Sequence, residues 1–343
     1  MPETALTTTT QAGGAVAIAG QVANHYAAAD AFRDYTSRKS DNTLRAQLAD
    51  LTTWRAYLCD ATNGADCPEA ETLQSDPAAW AGVTWGLVAG FVQWMLGAGY
   101  ALGTVNRHLS TVKVYCRLAA QAGAIDPTQA ALIRTVTGFG SKDGKRVDER
   151  RQQTRTGHKK AAHVAIDPEQ AKALKTQPDT PQGRRDAVIM ALLLDHGLRV
   201  GELAGLEVTA FDLKAGTFTF YRPKVDKTQT HRLTPDAAKA VKAWLKGGAV
   251  AMGPLLRSTR KGGALAGLGM SERAITERVR VLGLAVGVVG LSAHDCRHYW
   301  ATRAATKGTD PFALRDAGGW SSLAMPSRYV AAAEIANERV KLD

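Results

Sequence analysis

The sequence has few cysteines and no long hydrophobic run. Its four cysteines, in 343 residues, show neither Cys-x-x-Cys spacing nor the density of a disulfide-rich secreted domain. No stretch approaches the 18 consecutive apolar residues of a transmembrane helix. No Lys or Arg precedes Arg33, so the N-terminus lacks the basic start of a secretory signal peptide. These absences predict a cytoplasmic protein with reduced thiols and no membrane association.

The sequence also lacks the residue patterns of metal-dependent and nucleotide-dependent enzymes. A two-metal nuclease needs several converging carboxylates, whereas the acidic residues of the second half are scattered among basic neighbours: Asp195, Asp212, Asp226, Asp295 and Asp316. The glycine-rich stretch 253–269 has no Gly-Lys-Ser/Thr sequence for binding phosphates. His294 and His298 could share a helix face as metal ligands, but no second ligand pair follows them. We therefore predict no metal and no cofactor.

Positive charge is concentrated in the second part of the chain. The formal net charge is +11. Residues 1–140 hold 9 Lys/Arg against 11 Asp/Glu, whereas residues 141–343 hold 34 against 21. A positive field of this size favours a polyanionic partner, because Lys and Arg contacts to phosphates release condensed counterions. Double-stranded DNA is the partner we predict.

The length and a hydrophobic content of 45% suit two domains with separate cores. We predict a flexible tail at 1–22, a helical domain at 23–140, a basic linker at 141–163 and a second domain at 164–343. The linker prediction rests on residues 141–160, which contain eight Lys/Arg, three acids and almost nothing apolar. Such a segment cannot build a core. Its charge makes it a candidate DNA contact, through Lys142, Lys145, Arg146, Arg150 and Arg151.

Helical periodicity runs through residues 24–125. Ser40-Asp-Asn-Thr43 supplies capping residues before an apolar stripe at spacings of three and four: Leu44, Leu48, Leu51, Trp54, Tyr57 and Leu58. A later helix starts near Thr104 and turns four polar side chains outward: Arg107, His108, Lys113 and Arg117. Three of them, Arg107, Lys113 and Arg117, are candidate phosphate contacts, with a merely solvated helix face as the alternative.

The second domain mixes helices with a short pair of strands. A buried helix ends at Gly197, and Arg199 and Glu202 follow three residues apart on a new helix. Residues 217–221 alternate as a strand, and residues 231–234 could return antiparallel to it. This pattern predicts a mostly helical domain with a small antiparallel β-sheet.

The C-terminal stretch carries the densest set of polar candidates. A helix over residues 292–307 would place His294 and Arg297 three apart on one face. A glycine pair would end a second short helix and leave Trp320 just beyond the break. Tyr329 follows nine residues later.

These residues resemble the signature of the tyrosine recombinases, the family of lambda integrase, Xer and Cre. The box Gly-Leu-Arg-x-x-Glu-Leu at 197–203 and the pattern His-x-x-Arg, Gly-Gly-Trp and Tyr at 294–329 stand in the family's chain order. The resemblance implies six catalytic residues, with Glu202 in support: Arg199, Lys227, His294, Arg297, Trp320 and the nucleophile Tyr329. The N-terminal helices resemble the family's core-binding, SAM-like domain. The resemblance thus implies a mainly α, two-domain fold whose second domain is catalytic.

The lysine is the assignment that the resemblance leaves open. Family members place it in the β-hairpin, about eight residues before a proline that closes the return strand. Lys227 has this offset to Pro235, and Lys224 is the competitor. We favour Lys227 as the general acid.

The resemblance implies a site-specific recombinase that cleaves and rejoins duplex DNA through a 3′-phosphotyrosyl intermediate, without metal or ATP, as a homotetramer on two synapsed sites. Two alternatives stay open: strand relaxation by a type IB topoisomerase-like enzyme, and a DNA-binding protein with an idle pocket. The need for accessory proteins is also open. Beyond Tyr329, an apolar stripe predicts a C-terminal tail helix, docked on its own domain or on a neighbouring subunit: Val330, Ile335, Val340 and Leu342. We expect a cytoplasmic, nucleoid-associated protein.

Overall fold

The computed structural model describes residues 12–64, 66–154, 156, 163–247, 252–260 and 264–330. The chain divides into two units, Met1–Lys159 and Lys160–Asp343. Helices dominate both units, and the strands form two small antiparallel sheets. The predicted mainly α fold with a small antiparallel sheet is therefore confirmed. None of the described helices is long and apolar enough to cross a membrane.

The first unit has seven helices among its described residues: α1 (Ala12–Ser37), α2 (Asp41–Ala61), α3 (Ala70–Ser75), α4 (Trp85–Gly97), α5 (Leu102–Gln121), α6 (Pro127–Thr135) and α7 (Ser141–Glu149). Side chains fix the starts of three of them, because each accepts a hydrogen bond from a backbone N–H of the first turn: Ser40 for α2, Thr84 for α4 and Asp126 for α6. The predicted helix after Ser40 is confirmed.

An aromatic cluster forms the core of the first unit. Trp54 of α2 stacks on Trp80 with ring centroids 6.1 Å apart, and Trp80 stacks on Tyr115 of α5 at 5.9 Å. Phe91 of α4 meets Trp54 edge to face at 5.0 Å. All four side chains are fully buried. Since such pairs add roughly 0.5–1.5 kcal/mol each beyond area burial, these rings join α2, α4 and α5.

A buried polar network lies where the sequence predicted an exposed face of α5. His108 is buried, with Nδ1 donating to the Thr104 carbonyl oxygen at 2.8 Å and Nε2 lying 3.4 Å from Asp50. Asp50 is also buried; it accepts a hydrogen bond from Thr111 at 2.7 Å and pairs with Arg107. The expectation that His108 points outward is therefore wrong, because the carboxylate on α2 gives it a polar partner inside the unit.

Two segments predicted to lack structure are partly helical. Residues 12–22 of the predicted tail belong to α1, and the start of the predicted linker forms α7. Gly144 lies so close to Leu102 that a Cβ at 144 would come within 2.8 Å of its side chain, and Arg151 donates to the Tyr100 carbonyl at 2.9 Å. The linker was predicted from its lack of apolar residues, whereas these contacts are made by a glycine and a guanidinium. Composition alone therefore could not predict them. Residues 1–11, 155 and 157–162 of the tail and linker lie outside the described residues.

The second unit has eight helices and five strands among its described residues: α8 (Pro168–Lys175), α9 (Pro181–His196), α10 (Val200–Ala204), β1 (Phe211–Asp212), β2 (Thr217–Arg222), β3 (Lys227–Arg232), α11 (Pro235–Lys246), β4 (Arg257–Thr259), β5 (Leu265–Gly269), α12 (Glu272–Ala285), α13 (Ala293–Thr306), α14 (Pro311–Gly318) and α15 (Ala324–Val330). The strands form a sheet in the order β1-β2-β3 and a second pair, β4-β5. The predicted helix over residues 292–307 is confirmed as α13.

The buried centre of the second unit is α9. Its residues 188–194 are all buried, which is expected of a helix that is apolar on every side. Helices α8, α11 and α13 pack around it. In its second turn, the buried carboxylate of Asp186 accepts from Arg185 at 2.9 Å and from Arg278 of α12 at 2.6 Å. Helix α9 is therefore held firmly by its neighbours. The chain leaves its C-terminal end directly into the candidate site.

The β2–β3 hairpin turns alternate side chains towards one buried face. The register pairs three residues of β2 with three of β3 there: Phe218 with His231, Phe220 with Gln229, and Arg222 with Lys227. Opposite residues of an antiparallel pair project to the same side. The return strand begins at Lys227, earlier than the predicted 231–234, because the strands pair almost up to the turn.

Two histidines lie next to each other in this unit, His196 buried and His231 partly buried. Burial lowers the pKa of His196, at the end of α9, to about 3, and that of His231 to about 4. Both are neutral in the folded protein near pH 5, whereas their ordinary pKa in an unfolded chain is about 6.5. The unfolded state therefore binds more protons below that pH, and folding stability decreases as the pH falls.

We predict that His196→Gln lowers the number of protons taken up on unfolding by about one, which makes stability less dependent on pH. Between pH 6 and pH 4, the unfolding free energy of the wild type should fall by about 1.4 kcal/mol per pH unit more than that of the variant. Urea unfolding followed by circular dichroism measures both slopes. His25→Gln, at an exposed histidine of α1, is the control and should keep the wild-type slope. Parallel profiles for the wild type and His196→Gln would contradict the prediction.

Candidate active site

The end of α9 positions Arg199. Gly197 caps the helix in the left-handed conformation with φ 60°, and a Cβ there would collide with the Trp300 ring. Glycine is therefore needed both for the backbone angle and for space. Arg199 follows as the N-cap of α10, and its backbone N–H donates to the Glu202 carboxylate at 2.8 Å. The Arg-x-x-Glu spacing thus forms a cap that fixes the backbone of the arginine.

Glu202 is buried between two guanidiniums. Its Oε1 accepts from Arg199 Nη1 at 2.7 Å, and its two oxygens accept from Arg222 Nη1 at 2.9 and 2.8 Å. The side chain of Arg222 is 0% exposed, whereas that of Arg199 is 25% exposed. A buried carboxylate with good hydrogen bonds to two cations offsets much of its desolvation cost. Arg199 keeps part of its guanidinium open to solvent.

Three successive backbone carbonyls at the end of α14 each bind a different arginine. We call residues 317–319 the carbonyl turn. Its hydrogen bonds come from three separate elements: Ala317 accepts from Arg222 Nη2 at 2.7 Å, Gly318 from Arg297 Nη2, and Gly319 from Arg199 Nη2 at 3.0 Å. The last carbonyls of a helix lack intrahelical partners and carry partial negative charge, so they suit guanidiniums. The carbonyl turn therefore gathers the three arginines.

Arg222 is the site residue that the sequence analysis missed. It is fully buried, its Nε donates to Gln229, and its guanidinium lies 4.7 Å from the centre of the Phe220 ring. The period-two pattern of β2 contained a signal, because Phe218 and Phe220 place position 222 on the buried face. Its partner Glu202 could not be recognised from spacing, since the two residues are 20 positions apart in the sequence and lie on different elements, α10 and β2.

Helix α13 brings Arg297 into the same cluster. Its Nη1 donates to the Gly197 carbonyl at 2.5 Å, and its guanidinium lies 4.6 Å from the centre of the Trp320 ring. Burial lowers the pKa of Arg297 to about 9, and the positive charges of Arg199 and Arg222 act in the same direction. The residue is still protonated at neutral pH, but it is held in an environment that favours binding of an anion.

Tyr329 lies on α15 at the edge of this cluster and is 8% exposed. Its ring is 5.9 Å from Trp320 and 5.3 Å from His298, centre to centre. Burial raises the pKa of the Tyr329 hydroxyl above its usual value, while the positive charges of Arg297 and Arg328 oppose the rise. The phenol is therefore protonated in the free protein at neutral pH.

Two histidines on successive turns of α13 contact each other, and one of them, His298, contacts the Tyr329 ring. The Nε2 atoms of His294 and His298 are 3.1 Å apart. Burial lowers the pKa of His294, with smaller effects in the same direction from His163 and Arg297. His163 precedes the first helix of this unit and stacks on His298 with ring centroids 3.3 Å apart. The sequence analysis gave His298 no catalytic role, yet the structure places it between His294 and Tyr329.

The two candidate lysines differ in their place on the hairpin. Lys227 opens β3 directly across from Arg222, so its side chain starts on the face that carries the cluster, with Cβ atoms about 5 Å apart. Lys224 lies in the turn between the strands. Both are exposed. The register therefore favours Lys227, whose role stays a prediction.

The structure thus gathers six of the seven predicted site residues around the carbonyl turn and α13: Arg199, Glu202, His294, Arg297, Trp320 and Tyr329. It adds Arg222 and His298 to them. Lys227 stands at the border of the cluster, on the strand that pairs with Arg222.

The predicted DNA contacts of the first unit differ in their availability. Lys113 donates to the carbonyls of Arg134 at 2.8 Å and Val136 at 2.7 Å, and Arg151 is 11% exposed and bound to Asp148. We no longer count Lys113 and Arg151 as phosphate contacts, because the fold already uses their donors. The remaining candidates are exposed: Arg107, Arg117, Lys142, Lys145, Arg146 and Arg150. Arg107 pairs with Asp50, but its side chain is 52% exposed.

Sequence comparison relates the chain to known proteins. The sequence profile of the Phage integrase family matches residues 165–335. The tyrosine recombinase XerC of Mycobacterium sp. (strain JLS) is 26% identical over 309 residues, covering 88% of this chain and 92% of the relative. XerC of Mycobacterium tuberculosis (strain ATCC 25177 / H37Ra) is 28% identical over the same coverage.

Solved structures share the fold. A lambda integrase dimer bound to a COC′ core site is 15% identical, with a TM-score of 0.58 and coverage of 91% of this chain and 96% of that one. The Tn1549 transposon integrase in complex with transposon right end DNA is 16% identical, with a TM-score of 0.58 and coverage of 88% and 94%. Fold and site together define a tyrosine site-specific recombinase. The chain belongs to the phage integrase family.

We predict that Arg222→Met destabilises the second unit by about 3 kcal/mol, because it leaves Glu202 with one cation fewer and a carbonyl without its donor. Urea unfolding followed by circular dichroism measures the change. In the double variant Arg222→Met/Glu202→Gln the loss should be smaller than the sum of the single losses, since no buried carboxylate is left underpaired. Arg280→Met, which breaks an exposed pair with Glu277, is the control and should change little. Additive losses would contradict the coupling.

Proposed function

We propose that this recombinase cleaves and rejoins duplex DNA through a covalent bond between Tyr329 and a 3′-phosphate. The observation that supports this most is the position of Tyr329. Its buried ring borders His298 and Trp320, and the charge of Arg297 reaches its hydroxyl. A nucleophile, neutral imidazoles and permanent cations therefore meet at one place, as attack on a phosphodiester requires.

Arg199 and Arg297 would bind the scissile phosphate. An arginine has five N–H donors. In the described contacts Arg199 and Arg297 each use only two side-chain donors for the fold, on Glu202 and the backbone carbonyls. The remaining donors can bind the non-bridging oxygens, on which negative charge builds during attack. Loss of one such donor typically costs about 10²–10³ in rate. Arg222, fully buried and bonded on three nitrogens, would act through Glu202 instead.

The Tyr329 hydroxyl needs a proton acceptor, because its pKa is raised in the free protein. We assign this role to His294, which His298 connects to the phenol. As the Tyr329 oxygen bonds to phosphorus, its proton passes to the imidazole and the bond to the 5′-oxygen breaks. The Lys227 ammonium would supply the proton to that leaving oxygen. Trp320 would pack the site and offer its indole N–H to a phosphate oxygen.

Rejoining would reverse these steps without an external energy source. The phosphotyrosyl bond keeps the energy of the phosphodiester, so a 5′-hydroxyl can attack it and release Tyr329. Two guanidiniums supply the positive charge that a metal supplies in other phosphoryl-transfer enzymes. We therefore propose catalysis without ATP and without a metal cofactor.

We propose duplex DNA as the partner and a homotetramer on two synapsed sites as the active assembly. The net charge and the exposed basic residues of the first unit support DNA binding, and the lambda and Tn1549 integrases were solved with DNA. Residues 331–343, the predicted tail helix, lie outside the described residues; we propose that they dock on a neighbouring subunit. Such a heterologous contact would close into a ring. A DNA substrate implies work at the nucleoid in the cytoplasm.

We predict that Tyr329→Phe keeps DNA binding but forms no covalent protein–DNA adduct on a suicide substrate carrying its recombination site. Phenylalanine retains the ring packing and removes the attacking oxygen. Denaturing gel electrophoresis detects the adduct, and a gel-shift assay measures binding. Tyr299→Phe on α13 is the matched control and should form adduct at the wild-type rate. Adduct from Tyr329→Phe would move the nucleophile elsewhere, with Tyr299 and Tyr221 as the next candidates.

We predict that a 5′-bridging phosphorothioate substrate restores cleavage by Lys227→Ala but gives no comparable gain with the wild type. A sulfur leaving group needs no proton, so only a variant without its general acid should be rescued. Single-turnover cleavage of oxygen and sulfur substrates gives the ratio. Lys224→Ala serves as the control, and rescue of that variant instead would exchange the two assignments.

A further inference from the structure

Three imidazoles converge beside the proposed catalytic centre. His294 and His298 come from α13, and His163 reaches them from the segment that precedes α8. One ring nitrogen of each lies within 4.8 Å of the others. The sequence analysis dismissed the α13 pair for lack of further ligands, because a third histidine 131 residues away leaves no spacing signal. The mechanism proposed above makes no use of His163.

The spacing of these nitrogens is close to that of a transition-metal site. Zinc binds imidazole nitrogens at 2.0–2.1 Å in a tetrahedron, which puts neighbouring ligand atoms about 3.3 Å apart. The Nε2 atoms of His294 and His298 are already 3.1 Å apart. His163 is 56% exposed and held by stacking, so a rotation of its side chain can close the remaining distance.

The surroundings of the three rings suit a ligand role. Nδ1 of His163 lies 4.0 Å from the buried carboxylate of Asp295, near enough for that negative charge to favour a bound cation. Arg297 and Arg199 oppose a further cation here, while Asp295 favours it. Binding should therefore be reversible and weaker than at a structural zinc site.

We propose that His163, His294 and His298 bind one divalent transition-metal ion of the zinc class, and that the metal-bound protein cannot cleave DNA. Ligation occupies the lone pair of His294, so that this ring no longer accepts the Tyr329 proton. The inhibitory consequence rests on the function proposed above, whereas the metal site itself does not. Zinc then acts as an inhibitor at the catalytic centre and not as a cofactor.

Metal binding is tested first on the full chain without DNA. Competition with a chromophoric zinc chelator should show one bound equivalent for the wild type, weakened more than about 10-fold by His163→Ala or His298→Ala. His25→Ala, at an exposed histidine of α1, should bind as the wild type does. Cobalt(II) should give a spectrum without thiolate charge-transfer bands, which excludes Cys59 and Cys67. Binding that His163→Ala leaves unchanged would overturn the site.

The second arm measures suicide-substrate cleavage with zinc and with a chelator. Zinc should inhibit the wild type, and excess chelator should restore its activity. His163→Ala should cleave at the wild-type rate without metal and resist zinc concentrations that inhibit the wild type. Equal inhibition of both proteins, or stimulation by zinc, would refute the proposal. Failure of the proposed function would give a different result from failure of the metal site. In that case neither the wild type nor any variant would form adduct, while the protein would still bind one equivalent of zinc.

Discussion

The hydrogen bonds between the carbonyl turn and three arginines are the constraint on which the catalytic unit depends. Guanidiniums repel one another, and burial makes that repulsion stronger because the surrounding dielectric is low. Three arginines from different elements can nevertheless meet here, since each finds a carbonyl of residues 317–319 at the negative end of α14. Glu202 adds a full negative charge between two of them. The fold therefore stabilises a positive cluster with partial charges and one carboxylate.

This balance leaves the cluster positive, which matters for its chemistry. If each arginine were paired with its own carboxylate, the charge that a phosphate needs would already be neutralised. Carbonyl oxygens orient a guanidinium without cancelling its charge, so Arg199 and Arg297 stay available and fixed in position. Arg222 shows the other outcome: it is completely buried and bonded through all three of its side-chain nitrogens, and it serves to hold Glu202. In the described contacts, the number of side-chain nitrogens that the fold already uses separates the two roles: two each in Arg199 and Arg297, and all three in Arg222.

The sequence predicted well whatever local contacts determine. Ser292 caps α13 and Gly319 ends α14 in a left-handed conformation, and both boundaries could be inferred from neighbouring residues. The roles of other residues depend on partners far along the chain. Lys113 is held by carbonyls at the end of α6, Arg222 by Glu202, and His163 by two rings of α13. The sequence does not show whether a charged side chain faces solvent or a carbonyl that is distant along the chain. Spacing alone therefore could not distinguish a solvated side chain from one bonded within the fold.

The protonation states of the site follow from the same positive cluster. A phosphate bound to Arg199 and Arg297 would cancel part of the charge that opposes the raised pKa of Tyr329, so the tyrosinate cannot form in advance. Proton removal must then accompany attack, and it requires an imidazole that is neutral before the reaction. Burial and the neighbouring cations lower the pKa of His294 and His298 and so keep both rings neutral at neutral pH. Neutral imidazoles with free lone pairs are also what a zinc-class ion binds. The neutral state that suits these histidines to proton transfer therefore also allows them to bind a metal ion.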